Sequence, residues 1–113
     1  MTARQMPAPL GEFELLVLLA MLSLGDAAYP VSIARDIQAR TGRKASRTAV
    51  LITLSRLEDK ALVSSRYGEP TPERGGRSKR LFTARPRGLE AIRHTLERIE
   101  TMTAGLEPVL RKR

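Results

Sequence analysis

Apolar residues recur along most of this chain at intervals of three and four, and the intervals mark out a series of helices. From Gly11 to Ser23, the residues Phe13, Leu15, Leu16, Leu18, Leu19, Met21 and Leu22 reach most of the way round a helix, with Gly25 placed to cap its end. A helix apolar on every side needs cover on every side. A chain this small is expected to cover one side, leaving the other, with Phe13 and Leu16, to a second subunit. A second helix opens at Pro30, suited to the first helical position, and runs through IARDIQAR to Gly42. Its inner stripe is Ile33, Ala34 and Ile37, with Arg35 and Arg40 outside. A third begins after Ser46, a good N-cap, and continues through RTAVLITLSRLEDKA. Val50, Leu54, Leu57 and Ala61 form its buried stripe. At about 100° per residue the opposite face carries Thr48, Ile52, Ser55, Arg56 and Asp59, with Arg47 in the first turn.

Then the period changes. LVSSRY (62–67) and KRLFT (79–83) are short and β-prone, and GEPTPERGGRSKR (68–80) joins them as a hairpin. That connection is longer than the roughly two to five residues a hairpin loop needs. It holds two prolines, three glycines and four cationic side chains, which suggests use by something outside the fold. Pro86 starts a last helix in which Leu89, Ile92, Leu96, Ile99, Thr103, Leu106 and Leu110 alternate by three and four, a heptad seam interrupted near its end by Gly105 and Pro108. The order of elements predicts a mainly α fold with a small β-hairpin (α+β): a winged helix-turn-helix with a C-terminal dimerisation helix. The expected divisions are a flexible arm over 1–9, where Pro7 and Pro9 prevent helix, a winged helix over 10–85, and a dimerisation helix with a basic tail over 86–113.

Charge sharpens the picture. Twenty Lys and Arg against twelve Asp and Glu give 113 residues a net charge of +8, with a pI of about 11.0, which favours a polyanionic partner. On the third helix, Ser46, Arg47, Thr48, Ile52, Ser55 and Arg56 would face a major groove, the hydroxyls and arginines bonding base edges or phosphates and Ile52 touching a thymine methyl. Arg43 and Lys44 lie in the loop before that helix, whose positive N-terminal end would join them in attracting a phosphate. In the hairpin, Arg74, Arg77, Lys79 and Arg80 would contact phosphates or enter the minor groove, with Gly75 and Gly76 letting the backbone approach. The bland readings are a solvated loop and an ordinary amphipathic helix. The two features in sequence favour DNA. The seam residues Leu89, Ile92, Leu96, Ile99 and Leu106, with Phe13 and Leu16, are the expected dimer contacts, and a dimer sets two recognition helices about one DNA turn apart.

Other chemistry is poorly supplied. No cysteine is present, so no disulfide or thiolate metal site forms, which fits a cytoplasmic setting. His94 is the only histidine; Glu58 and Asp59 are adjacent on a helix and diverge, so they make no acid–base pair. No phosphate-cradling, dinucleotide or metal-spaced motif appears, and neither catalysis nor a cofactor is expected. LLVLLAMLSL (15–24) covers about half a bilayer core, so no membrane association is expected.

The succession LGEFELLVLLAML, YPVSIARDIQARTG, SRTAVLITLSRLEDKALV and GEPTPERGGRSKRLF resembles the PadR-like transcriptional regulators, over residues 10 to 95. TLSRLEDKALV (53–63) and PTPERGGRSKR (70–80) are its most specific parts. The resemblance implies a bacterial or archaeal cytoplasmic dimer that usually represses, binding DNA through helix three and the wing. It also implies a C-terminal dimerisation helix and, in many members, release from DNA by a small ligand. The sequence departs from the pattern at Leu51, where tyrosine is common, at Pro30 and Ala61, where glycine is common, and at Arg85, where threonine usually caps the last helix. Without that cap the helix loses about 1 kcal/mol. Aromatic content of 4% without tryptophan argues against a ligand site of stacked rings. The expected function is therefore a sequence-specific, homodimeric DNA-binding regulator that represses. Its rivals are a nucleic-acid-binding module without sequence preference, which would want more stacking aromatics, and a protein-interaction adaptor that keeps the fold without the DNA.

Overall fold

The computed structural model describes residues 8–69 and 78–111. Helix α1 spans Glu12–Leu24. Glu14 accepts the Gly11 N–H at 2.9 Å, and Gly25 ends the helix at φ 56°, leading into a 3-10 turn over Gly25–Ala27. Helix α2 spans Pro30–Thr41. Ser32 Oγ accepts the Tyr29 N–H at 3.0 Å at its start, and Gly42, at φ 74°, closes it. Helix α3 spans Arg47–Asp59, with Ser46 Oγ accepting the Ala49 N–H at 3.0 Å as the sequence predicts. It stops short of the expected Ala61. The Ala61 N–H donates to Glu58 O and the Leu62 N–H to Leu57 O, each at 2.9 Å, the paired closing bonds of a Schellman motif. Ala61 takes the left-handed position at φ 63°.

Strands β1 (Val63–Tyr67) and β2 (Arg80–Ala84) pair antiparallel, with Val63 opposite Ala84 and Tyr67 opposite Arg80. The Leu62 carbonyl accepts the Arg85 N–H at 2.9 Å, where the chain leaves β2 for helix α4. Phe82 N–H donates to Ala28 O at 2.9 Å, so the segment before α2 is tied to β2 along its open edge. Helix α4 spans Pro86–Thr103, with Pro86 at its first position and no side-chain cap from Arg85. Gly105, at φ 83°, separates it from the short helix α5, Glu107–Leu110.

One core joins these elements except α5, which has no buried residue. Val17 and Leu18 of α1, Ile33 and Ile37 of α2, Val50, Leu54 and Leu57 of α3, Val63 and Phe82 of the hairpin, and Ala91 and Ile92 of α4 are all buried. The need for a second subunit to cover α1 is not met with: α2, α3, α4 and β2 all pack on it. Leu22, at 46%, is its only exposed large apolar residue. Phe13 and Leu16 are partly buried against the chain's own core. The first half of α4 enters that core too, through Ala91 and Ile92, with Leu89 packed against it.

Candidate nucleic-acid interface

Val50, Leu54 and Leu57 anchor α3 in the core, and the helical period turns Arg47, Thr48, Ile52 and Arg56 outward, all exposed. Ile52 is 49% exposed, an apolar side chain held in water on an otherwise polar face. Ser55 is half-buried beside them. Ser46 is exposed, but its hydroxyl is engaged in capping. In the turn before α3, Arg43 pairs with Glu12 at 2.8 Å and stacks 4.8 Å above the Phe13 ring. Phe13 therefore sits beside this turn, in a groove shared with Lys44 and Ser46. Lys44, Arg47 and Arg56 form no ion pair among the described residues. Three positive charges thus remain available along one edge and face of α3.

The root of the hairpin stands beside that face. Lys79 Nζ lies 4.4 Å from the Tyr29 ring centroid and 3.4 Å from its hydroxyl. A groove of about 500 Å³ lies between Tyr29 and Val31 of the α2 entrance, Arg47 and Leu51 of α3, and Tyr67 and Lys79 of the hairpin. Leu51, where the resembling family commonly has tyrosine, contributes to its apolar wall. Arg74 and Arg77, with Gly75 and Gly76, lie outside the described residues. Arg80 does not project freely as the charge run suggested. Its Nη2 is 2.7 Å from Glu58 Oε1, its Nε is 3.3 Å from Ser65 Oγ, and its guanidinium packs over Phe82 at 5.0 Å. The reason is register: Arg80 opens β2 where the last turn of α3 passes behind the sheet. Tyr67, 70% exposed at the end of β1, lines the same groove, and Arg66 next to it is exposed.

On α4 the predicted seam divides. Ile92 is buried at 5% in the chain's own core and Leu89 packs against it, so neither lies on the exposed row. Leu96, Ile99 and Leu106 are 42%, 50% and 44% exposed, with Met102 at 77%. Placed at about 100° per residue, Ile99 and Met102 continue the stripe that buries Gly88, Ala91, Ile92 and Thr95. The stripe outlasts the core, and beyond Thr95 no described residue buries it.

Among the described residues, no group of His, Cys, Asp and Glu could hold a metal ion. His94 Nε2 faces Glu90 of the same helix at 3.7 Å. No described helix is long and apolar enough to cross a membrane.

No protein-family model and no curated protein matches the sequence. Solved structures do match in fold. A PadR family transcription regulator from Clostridium difficile R20291 superposes with a TM-score of 0.70 at 19% identity, covering 88% of this chain and 99% of its own. A transcriptional regulator from Clostridium thermocellum gives 0.68 at 20% identity, over 87% and 89%. Bordetella bronchiseptica BpsR, whose DNA binding is regulated by 6-hydroxynicotinic acid, gives 0.62 at 20% identity, over 96% and 77%. The chain has the α+β winged-helix fold of PadR-like regulators.

Proposed function

We propose that this protein is a sequence-specific, DNA-binding transcriptional regulator of the PadR-like type, acting as a homodimer and repressing its target. The observation that carries this reading is the outward face of α3, where Arg47, Thr48, Ile52 and Arg56 are exposed on a helix locked into the core. Lys79 at the hairpin root adds a cation beside that face. A major groove of about 12 Å admits an α-helix presented in this way. Lys44 and Arg47 supply phosphate contacts that fix register, Thr48 reads base edges, and Ile52 meets a thymine methyl. Arg56, with Ser55 beside it, reaches the flanking backbone. Arg74 and Arg77 extend the contact from the wing. The +8 net charge supports the long-range attraction such an encounter uses.

The exposed continuation of the α4 stripe supports a second copy as its cover. Ile99, Met102 and Leu106 form a self-complementary surface when two such helices pack across a two-fold axis. That arrangement presents two α3 faces to one duplex. The shared fold with BpsR supports a small effector acting on this protein's DNA binding, and a cytoplasmic setting follows from the same reading.

Selection of bound duplexes from a randomised library at about physiological salt tests the function, because salt suppresses nonspecific phosphate binding. Enrichment of a near-palindromic site with half-sites about 10 base pairs apart is expected. Binding without enrichment would make the protein a nonspecific nucleic-acid module. A dimer that retains no duplex would make it an adaptor.

A further inference from the structure

The Arg80 guanidinium, which charge alone would assign to DNA, is engaged inside the fold. Glu58, in the last turn of α3, accepts from Arg80 Nη2 at 2.7 Å and from Ser65 Oγ at 2.7 Å, one bond on each carboxylate oxygen. Arg80 Nε closes the triangle on Ser65 Oγ at 3.3 Å. Ser65 belongs to β1 and Arg80 to β2. One carboxylate therefore holds both strands of the wing to the helix that would read the groove. Glu58 and Arg80 are about a third exposed, at 31% and 34%, so the bonds are partly sheltered from competing water.

We infer that Glu58 is a positioning residue for DNA binding: through Arg80 and Ser65 it sets the angle of the wing to α3. This rests on the DNA-binding reading above. Phosphate contacts fix orientation only if the elements carrying them keep a fixed geometry. Leu57, one residue earlier, is fully buried, so the α3 end of the link is anchored. Arg80, in turn, stacks on buried Phe82, which fixes the strand end.

The two roles for Arg80 predict opposite signs. Glu58→Gln removes a negative charge near the DNA surface and weakens the hold on Arg80, since the amide oxygen accepts without charge assistance. If Arg80 contacts phosphate, affinity for the selected duplex rises or stays level. If Glu58 positions the wing, affinity falls by about tenfold, the equivalent of one charge-assisted contact. Hydrogen exchange of the free protein should rise at the amides of β1 and β2 while α1 and α2 stay protected. The charge-swapped pair Glu58→Arg with Arg80→Glu should recover both signals. Unchanged or tighter binding by Glu58→Gln, or unchanged exchange in the strands, overturns the inference. A parent protein that binds no duplex sinks the DNA-binding reading instead, and the exchange measurement still decides whether Glu58 holds the wing. Unfolding of Glu58→Gln, read by circular dichroism, would show a general rather than a positioning role, and that too overturns it.

Discussion

Gly88, in the first turn of α4, faces the backbone carbonyl of Leu62 at the end of the α3–β1 turn. A Cβ on residue 88 would fall well inside contact distance of that oxygen. The carbonyl cannot retreat, because it accepts the Arg85 N–H at 2.9 Å, the bond that launches α4. The glycine is what lets α4 lie against the winged helix rather than beside it.

Gly88→Ala is therefore expected to destabilise the fold by about 1–3 kcal/mol, the range for overpacking a closed site. The helical propensity gain of alanine offsets at most about 1 kcal/mol of this. Thermal unfolding monitored at the helical band reads the change; a variant as stable as the parent would mean that α4 does not approach Leu62 this closely.

Ala61→Gly should act in the opposite direction. Ala61 sits at φ 63° in the Schellman motif that ends α3, a conformation costing an L-residue roughly 1–2 kcal/mol. Glycine loses about 0.5–1 kcal/mol through the entropy of the unfolded chain. A net stabilisation of up to about 1.5 kcal/mol is expected, seen as a higher urea midpoint with an unchanged slope.

How far such features are written in the sequence varies with their range. Ser46 ahead of RTAVLITL, Pro30 and Pro86 each act on the next turn of backbone, and each predicted helix start is met in the structure. The strained turn at Ala61 carries no such local mark, since alanine is a strong helix former. Only the family resemblance, with glycine common there, hinted at it. The pairing of Arg80 was not legible because its partner Glu58 lies 22 residues earlier; a charge run shows the sign of a surface, not which charges are already matched. Likewise, the seam of α4 reads as one stripe from Leu89 to Leu110. Where it leaves the core, after Thr95, depends on how far the other helices reach.

Ile99→Lys tests the proposed subunit contact without disturbing that core, because Ile99 is half exposed in the single chain. Two like charges brought together at a two-fold seam oppose association. Sedimentation is expected to show the parent as a dimer and the variant as a folded monomer, with at least tenfold weaker binding to a two-half-site duplex. A parent that sediments as a monomer, or a variant that stays dimeric, would place the subunit contact elsewhere or remove it.

Arg47 and Thr48 are adjacent on α3, yet the proposed function gives them different work. Arg47, in the first turn beside the helix's positive end, suits a phosphate; a long cation there strengthens binding to any duplex. Arg47→Gln should thus weaken cognate and random DNA by the same factor and reduce the salt slope by about one. Thr48 has no charge to contribute, so Thr48→Ala should leave the salt slope alone. It should change preference among base pairs at one position, by about 1–3 kcal/mol at most. Titrating both variants against cognate and scrambled duplexes at three salt concentrations separates the roles. Parallel losses on both duplexes for both residues would mean that the exposed face of α3 meets only the phosphate backbone, leaving sequence recognition to other parts of the chain.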